Sequence, residues 1–219
     1  MLTNIGLVEH AKKALNERWG YVRGTYGQVL TASILDAKLK QCGDDVGRYL
    51  DFIKGQYLGR RTADCVNLIK SYLWWDSGKN NPVYQSKYDV NADGMYTTAK
   101  EKGPISTIPD IPGICVWHKG HIGVYIGNGQ VIEAHGTKAG VIKTPLKGSG
   151  ATPWTHWLKC PYIQYVETEI TYNEALKTIC EEVGSPVDYW LSKLPEDKAK
   201  KAASSLPALL IKIAKKLKK

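Results

Sequence analysis

The segment from Gly120 to Gly136 constrains the fold most, because apolar and polar residues alternate on both sides of Gly127-Asn128-Gly129. This alternation predicts an antiparallel β-hairpin. A two-residue Asn-Gly turn is the commoner hairpin turn, but its register would place Glu133 and His135 among isoleucine side chains. We therefore predict a three-residue loop.

That loop would pair Ile126 with Gln130 and His121 with His135. One face of the hairpin would then hold His121, Gly123, Tyr125, Val131, Glu133 and His135. The opposite face would be wholly apolar, with Ile122, Val124, Ile126, Ile132 and Ala134. Such a cluster of polar side chains on an otherwise β-like sequence indicates a functional face.

Helical periodicity precedes the hairpin, and short β-like runs surround it. Helices are predicted over residues 2–18, 28–42, 45–54 and 64–75. Residues 76–112 are rich in Gly, Pro and Asn and predict loops. Strands are predicted over residues 114–117, 121–126, 130–135, 140–143 and 157–163. Helices followed by an antiparallel sheet indicate an α+β fold, with one domain over 1–167 and a small helical region over 168–219.

The formal net charge of +9 is concentrated at the C-terminal end. Residues 197–219 hold eight lysines and one aspartate, a charge of +7, which leaves +2 for residues 1–196. A nucleic-acid-binding fold is expected to spread basic residues over a face or groove, so we exclude nucleic acid as a partner. The last segment, 204–219, predicts a cationic amphipathic helix that either binds an anionic surface or packs with a solvated basic end.

The five cysteines are an odd number without close C-x-x-C pairs, which disfavours a disulfide framework. The N-terminus shows no signal-peptide pattern, and the apolar run at 208–211 is too short to cross a bilayer. We expect synthesis in a cytoplasm with reduced thiols.

Cys65 is the candidate nucleophile, because it follows a capping residue, Asp64, at the predicted start of a helix. The helix dipole and free N–H groups there favour a thiolate. A cysteine nucleophile also needs a histidine to carry the proton and an acceptor to orient that histidine. His121 fits the first role, and either Glu133 or His135 fits the second. The alternative is that Cys65 is only a small buried residue.

Three motifs together resemble the NlpC/P60 family of cell-wall cysteine peptidases. They are Asp64-Cys65, Pro112-Gly-Ile-Cys-Val-Trp117 and His121-Ile-Gly-Val-Tyr-Ile-Gly-Asn-Gly129, preceded by Gly20-Tyr-Val-Arg-Gly-Thr25. The chain departs from the family where Asp-Cys-Ser-Gly is usual and Asp-Cys-Val-Asn stands here. The stretch between Tyr21 and Cys65 is long and has the character of an insertion.

The resemblance implies a papain-like core with Cys65 as nucleophile, His121 as base and Glu133 as the orienting group. In many family members the orienting group is histidine, so His135 stays the alternative. Tyr21 would lie near the nucleophile. We also expect Asp64, Gly123 and Tyr125 to contact substrate, with the glycines keeping the face open.

The implied function is a peptidoglycan endopeptidase of phage-endolysin type, made without a signal peptide in the bacterial host cytoplasm and acting on the wall. The segment from Tyr172 to Trp190 resembles a helical unit of phage lysins, and the basic tail would target anionic wall polymers or membrane. One alternative is an N-acetylmuramoyl-L-alanine amidase that uses the same Cys and His. Another is a non-catalytic protein that binds walls or permeabilises membranes through its tail.

Two metal patterns are discounted, so no cofactor is predicted. Asp89, Asn91 and Asp93 match the opening of a calcium loop, but Lys100 stands where a bidentate Glu belongs. A zinc set of Cys115, His118, His121 and His135 is discounted because Cys115 lies in an apolar run that opens a strand and no helix-borne pair of histidines is evident.

Overall fold

A computed structural model describes residues 1–166, 172–197 and 206–217. The chain forms two compact units, Met1–Val166 and Glu167–Lys219. The predicted domain boundary at residue 167 and the basic residues of 198–205, 218 and 219 lie outside the described residues.

The first half of the larger unit is helical, as predicted. Its helices are α1 (Asn4–Asn16), α2 (Ala32–Cys42), α3 (Asp44–Gly47), α4 (Leu50–Gln56) and α5 (Cys65–Leu73). The predicted helix over 28–42 starts late, because Tyr26–Val29 forms β1 and pairs antiparallel with β2 (Arg61–Ala63). The predicted helix over 45–54 is two short helices, since the chain turns between α3 and α4.

The second half forms a six-stranded antiparallel sheet, which confirms the α+β prediction. Its strands are β5 (Lys102–Pro104), β6 (Cys115–His118), β7 (His121–Gly127), β8 (Gln130–Gly136), β9 (Gly140–Pro145) and β10 (His156–Leu158). Their spatial order is β5-β10-β6-β7-β8-β9. The predicted loop over 76–112 also holds structure: β3 (Trp75–Asp76) pairs with β4 (Asn81–Pro82), α6 spans Ala92–Thr98, and β5 is an edge strand.

Helices α1 and α5 pack on one face of the sheet and form the main core. Leu7 and Ala11 of α1 and Leu68 of α5 meet Ile122 and Ile132 of the hairpin, and all five are at most 1% exposed. The apolar face predicted for the hairpin is therefore the core face. The opposite face of the sheet carries a second buried cluster, formed by Val116, Tyr125, Val131, Leu146 and Trp154.

The stretch between Tyr21 and Cys65 carries its own small core. Val22, Leu30, Leu35, Val46, Ile53 and Tyr57 are buried together. The hydroxyl of Tyr57 donates to the carbonyl of Thr137 at 2.5 Å, so this segment is also tied to the loop between β8 and β9.

The hairpin turn differs from the prediction, whereas the register of the strands does not. Gly127 pairs with Gln130 across a two-residue turn, Asn128-Gly129, in which both residues have positive φ. Such φ values are what a type I′ turn requires. Beyond the turn, Val124 lies opposite Ile132, as the three-residue loop would also have placed it. A β-bulge at Ile126 adds one residue to β7, so a two-residue turn leads to the register that was predicted for a three-residue loop.

The smaller unit contains α7 (Tyr172–Glu182), α8 (Val187–Lys193) and α9 (Leu206–Leu217). Tyr172, Leu176 and Cys180 of α7 pack against Leu210 of α9. Ala214 of α9 is fully buried, while Lys212 and Lys216 are exposed. The structure thus packs α9 through part of its apolar face and leaves these lysines in solvent. Among the described residues, no helix is both long and apolar enough to cross a membrane.

Candidate active site

Asp64 fixes the start of α5 and thereby the position of Cys65. One carboxylate oxygen accepts the backbone N–H of Asn67 at 2.9 Å, and the other accepts the N–H of Gly24 at 2.8 Å and the Asn67 side-chain amide at 2.8 Å. Burial raises the pKa of Asp64, against these hydrogen bonds. Asp64 was predicted to contact substrate. Because both oxygens are bonded inside the protein, the structure instead makes it a buried helix cap.

Burial opposes the thiolate form that the position of Cys65 at the start of α5 was predicted to favour. Burial and then the nearby Asp64 raise its pKa to about 12, and they outweigh the backbone N–H groups of Val66 and Ile122. Sγ lies 3.9 Å from the carbonyl oxygen of Gly120. The thiol therefore contacts the backbone on both sides of His121.

His121 meets the carboxylate of Glu133, with Nε2 and Oε2 separated by 2.7 Å. Burial raises the pKa of Glu133, but hydrogen bonds from His121, Thr152, Thr144 and His135 bring it down to about 2. An ionised carboxylate only accepts, so Nε2 of His121 carries a proton. In the neutral ring, Nδ1 is then the nitrogen with a free lone pair.

The second carboxylate oxygen of Glu133, Oε1, is also hydrogen-bonded within the protein. Oε1 accepts hydroxyl hydrogen bonds from Thr144 and Thr152, each at 2.7 Å, and the Glu133 side chain is 0% exposed. Four hydrogen bonds satisfy this buried charge, which is the condition under which a buried carboxylate stays ionised. Sequence reasoning missed both threonines, because Thr144 lies one residue beyond the predicted strand over 140–143 and Thr152 lies in a loop without periodicity.

His135 contacts Glu133 rather than His121. Its Nδ1 lies 3.1 Å from the same Oε2 atom, and its side chain is 48% exposed. The rings of His121 and His135 are perpendicular, with centroids 6.2 Å apart. Of the two predicted orienting residues, Glu133 is the one that hydrogen-bonds to His121.

Trp154 covers the other side of His121, and no sequence signal indicated it. The indole and the imidazole are stacked, with centroids 5.3 Å apart and an interplanar angle of 8°. Gly123 permits this contact, because a Cβ atom there would lie 3.1 Å from the Trp154 ring and 2.9 Å from Val131.

Two predicted substrate contacts therefore need correction. Gly123 does not leave an open face, since Trp154 and Val131 fill the space beside it. Tyr125 is 5% exposed, packs in the second cluster, and donates its hydroxyl to Asp110 at 2.6 Å. Both residues lie in a packed layer rather than on a substrate surface.

Tyr21 is partly buried and packs against the core cluster that contains Cys65. Burial and then the charges of Cys65 and Asp64 raise the pKa of its phenol. The phenol therefore stays protonated at neutral pH and can donate a hydrogen bond.

Among the described residues, neither metal pattern of the sequence assembles in full. Asp89 pairs with Lys70 at 2.6 Å, Asn91 caps α6, and Asp93 accepts the Trp117 indole and the Gly120 N–H. Cys115 is buried against Cys160. Within the described parts of the chain, the group of side chains close enough to hold a metal is instead His121, Glu133 and His135.

No protein-family model and no curated protein matches this chain. It is similar to solved structures that include the peptidoglycan hydrolase RipB from Mycobacterium tuberculosis, with 20% identity, 74% of this chain and 67% of that chain covered, and a TM-score of 0.39. For the P60 domain of an antigen from M. avium subspecies paratuberculosis the identity is 19%, the coverage 74% and 98%, and the TM-score 0.35. For RipA, a protein that interacts with resuscitation promoting factor, these values are 21%, 74% and 65%, and 0.39.

Because the identities lie near 20% and the TM-scores below 0.5, we base the function on the geometry of the site and on the sequence motifs that resemble the NlpC/P60 family.

Proposed function

We propose that the chain is a cysteine-dependent peptidoglycan hydrolase that cuts the peptide stem of the bacterial wall. The observation that carries this proposal is the 2.7 Å contact between Nε2 of His121 and Glu133, next to the thiol of Cys65 at the start of α5. A thiol, a histidine and a buried carboxylate in this order form the set that acyl transfer to cysteine requires.

Nδ1 of His121 accepts the thiol proton as Sγ attacks the carbonyl carbon of the scissile amide. A pKa of about 12 makes this acceptor necessary, since few thiolates exist at neutral pH without it. Glu133 remains ionised, keeps the ring oriented and stabilises the imidazolium. The imidazolium then protonates the leaving amine, and water hydrolyses the thioester with His121 again as base.

The developing oxyanion has donors beside Cys65. The first N–H groups of a helix lack intrahelical partners, and the N–H of Cys65 is one of them. The Tyr21 phenol is a second donor near the nucleophile. Both suit the stabilisation of a tetrahedral intermediate.

The assignment of peptidoglycan as the substrate rests on the motifs that resemble NlpC/P60 peptidases. These motifs imply cleavage beside the D-isoglutamyl residue. The resemblance of the Tyr172–Trp190 segment to phage lysins supports an endolysin. Exposed Lys212 and Lys216 would then face anionic wall polymers.

The test is release of soluble fragments from purified peptidoglycan. Cys65→Ala is expected to abolish release while the protein keeps its thermal transition. Cys42→Ser is the matched control, because Cys42 is a free thiol on α2 outside the set of Cys65, His121 and Glu133. Lysis by Cys65→Ala would refute the proposal. Mass spectrometry of the fragments separates an endopeptidase, which exposes a new peptide amine, from an amidase, which frees the whole stem from the glycan.

A further inference from the structure

Three potential metal ligands converge at the edge of the candidate active site. Nε2 of His121, Oε2 of Glu133 and Nδ1 of His135 all lie within 4.8 Å of one another. Oε2 is 2.7 Å from the first nitrogen and 3.1 Å from the second. β7 contributes one ligand at its start, and β8 contributes two from the same strand face.

We propose that this cluster is an inhibitory binding site for a divalent transition-metal ion of the zinc class. Tetrahedral zinc with N and O ligands at about 2.0 Å holds neighbouring ligand atoms about 3.3 Å apart. To reach that geometry, Oε2 would move about 0.6 Å away from the His121 nitrogen. The two histidine nitrogens, which lie within 4.8 Å of each other, would come to about 3.3 Å apart. Two imidazoles and one carboxylate suit zinc, whereas calcium and magnesium prefer sites built of oxygen.

The surroundings supply access and support for such an ion. The His135 side chain is 48% exposed, so an ion reaches the cluster from solvent, and water can complete the coordination. Thr144 and Thr152 hold the other oxygen of Glu133 at 2.7 Å and fix its orientation. Hydrogen bonds of this kind to a ligand strengthen metal binding.

Inhibition follows from the tautomer of His121, and it rests on the proposed function. The active ring carries its proton on Nε2 and accepts the Cys65 proton on Nδ1. A metal bound to Nε2 occupies the lone pair of that nitrogen. The neutral ring then carries its proton on Nδ1, so Nδ1 cannot accept the proton of Cys65. The same ion also removes Oε2 of Glu133 from its orienting role.

The binding test is calorimetric titration of the full chain with zinc alone, in a buffer that does not chelate, with magnesium as a second titrant. We expect one zinc per chain, at least tenfold weaker binding for His135→Ala, and unchanged binding for Cys65→Ala. His156→Ala is the matched control, because His156 is another accessible histidine and its ring makes edge-on contacts with Tyr96 and Trp117 instead. Zinc binding that survives His135→Ala, or that requires Cys65, overturns the site.

The activity test adds zinc to wall digestion and then removes it with a chelator. Loss of activity at the zinc concentration that fills the site, with recovery on chelation, supports inhibition. Binding at full activity overturns the inhibitory role but leaves the site. If metal-free protein cuts no walls while zinc still binds one per chain, the proposed hydrolase fails and the metal site stands.

Discussion

The imidazole of His121 is held between a carboxylate at its edge and an indole on its face. Glu133 fixes the ring at Nε2 through a 2.7 Å hydrogen bond, and Trp154 lies parallel to the ring plane at 5.3 Å. The hydrogen bond sets the direction of the ring nitrogens, and the stacking sets the tilt of the plane. For His121 as the proposed base both contacts matter, because small misplacement of a catalytic group is costly.

Trp154→Leu is expected to lower kcat for wall hydrolysis by about 10- to 100-fold, because the ring can then tilt. Trp154→Phe is the matched control. It keeps an aromatic face over His121 and removes an indole N–H that has no hydrogen-bond partner among the described residues. Initial rates on solubilised wall fragments measure both variants. Equal losses in the two would show that stacking does not position His121.

The identity of the orienting residue is tested by comparing Glu133→Gln with His135→Ala. Glu133→Gln is expected to lower kcat by about 100-fold or more, since an amide can present the wrong group to Nε2. His135→Ala should cost much less, because its nearest contact is with Glu133. Rates are compared with thermal transitions to separate catalysis from folding. If both variants keep near-complete activity, neither residue orients His121.

The raised pKa of Cys65 predicts slow alkylation at neutral pH. The thiolate fraction of a thiol with a pKa of about 12 rises about tenfold for each pH unit below that value. Iodoacetamide labelling followed by peptide mass spectrometry should show Cys65 reacting more slowly than the less buried Cys42 at pH 7, and accelerating steadily to pH 9. A labelling rate that is already flat below pH 7 would instead indicate a resting thiolate–imidazolium pair.

His10 predicts a loss of stability in mild acid. It is buried among Trp19, Tyr72 and Trp75, and its Nε2 lies 2.7 Å from Ser71. Burial, then Lys13 and Arg61, lower its pKa to about 3 from 6.5. His10 therefore stays neutral in the folded protein at pH values below 6.5, at which it is protonated in the unfolded chain.

The resulting stabilisation is complete above pH 6.5 and falls as the pH drops toward 3. Between pH 7.5 and pH 5 the free energy of unfolding should decrease by about 2 kcal/mol from this group. His10→Gln keeps a donor toward Ser71 without titrating, so its urea midpoint should change less with pH. Parallel pH curves for the two proteins would show that His10 makes no such contribution.

Charge on α9 is best tested by neutralisation rather than deletion. Removing α9 would expose the α7 residues that pack against Leu210, whereas Lys212 and Lys216 are exposed. The double change Lys212→Gln and Lys216→Gln should weaken binding to whole walls and reduce its salt dependence. Hydrolysis of a small stem peptide should be unaffected. Unchanged wall binding would assign these lysines to a solvated face only.

Periodicity predicted the parts of the fold that alternate or repeat. The core face of the hairpin, the capped start of α5 and the gathering of His121, Glu133 and His135 on one face follow from residue spacing. Spacing alone left open which of Glu133 and His135 contacts His121. The partners Thr152 and Trp154 come from a loop, where no period links a residue to its neighbour in space. The thiol pKa was missed for a different reason, since burial by distant elements exceeded the local effect of the helix start.

The bulge at Ile126 makes the strand register independent of the turn type, whereas a hairpin without a bulge couples the two. The turn uses the φ preference of Asn128-Gly129, while the strands keep the register that gathers His121 and Glu133 on one side. Turn chemistry can therefore change through evolution or engineering without rotating the reactive side chains into the core. Another two-residue type I′ sequence at 128–129 should alter how readily the hairpin closes and leave the neighbours of Cys65 in place.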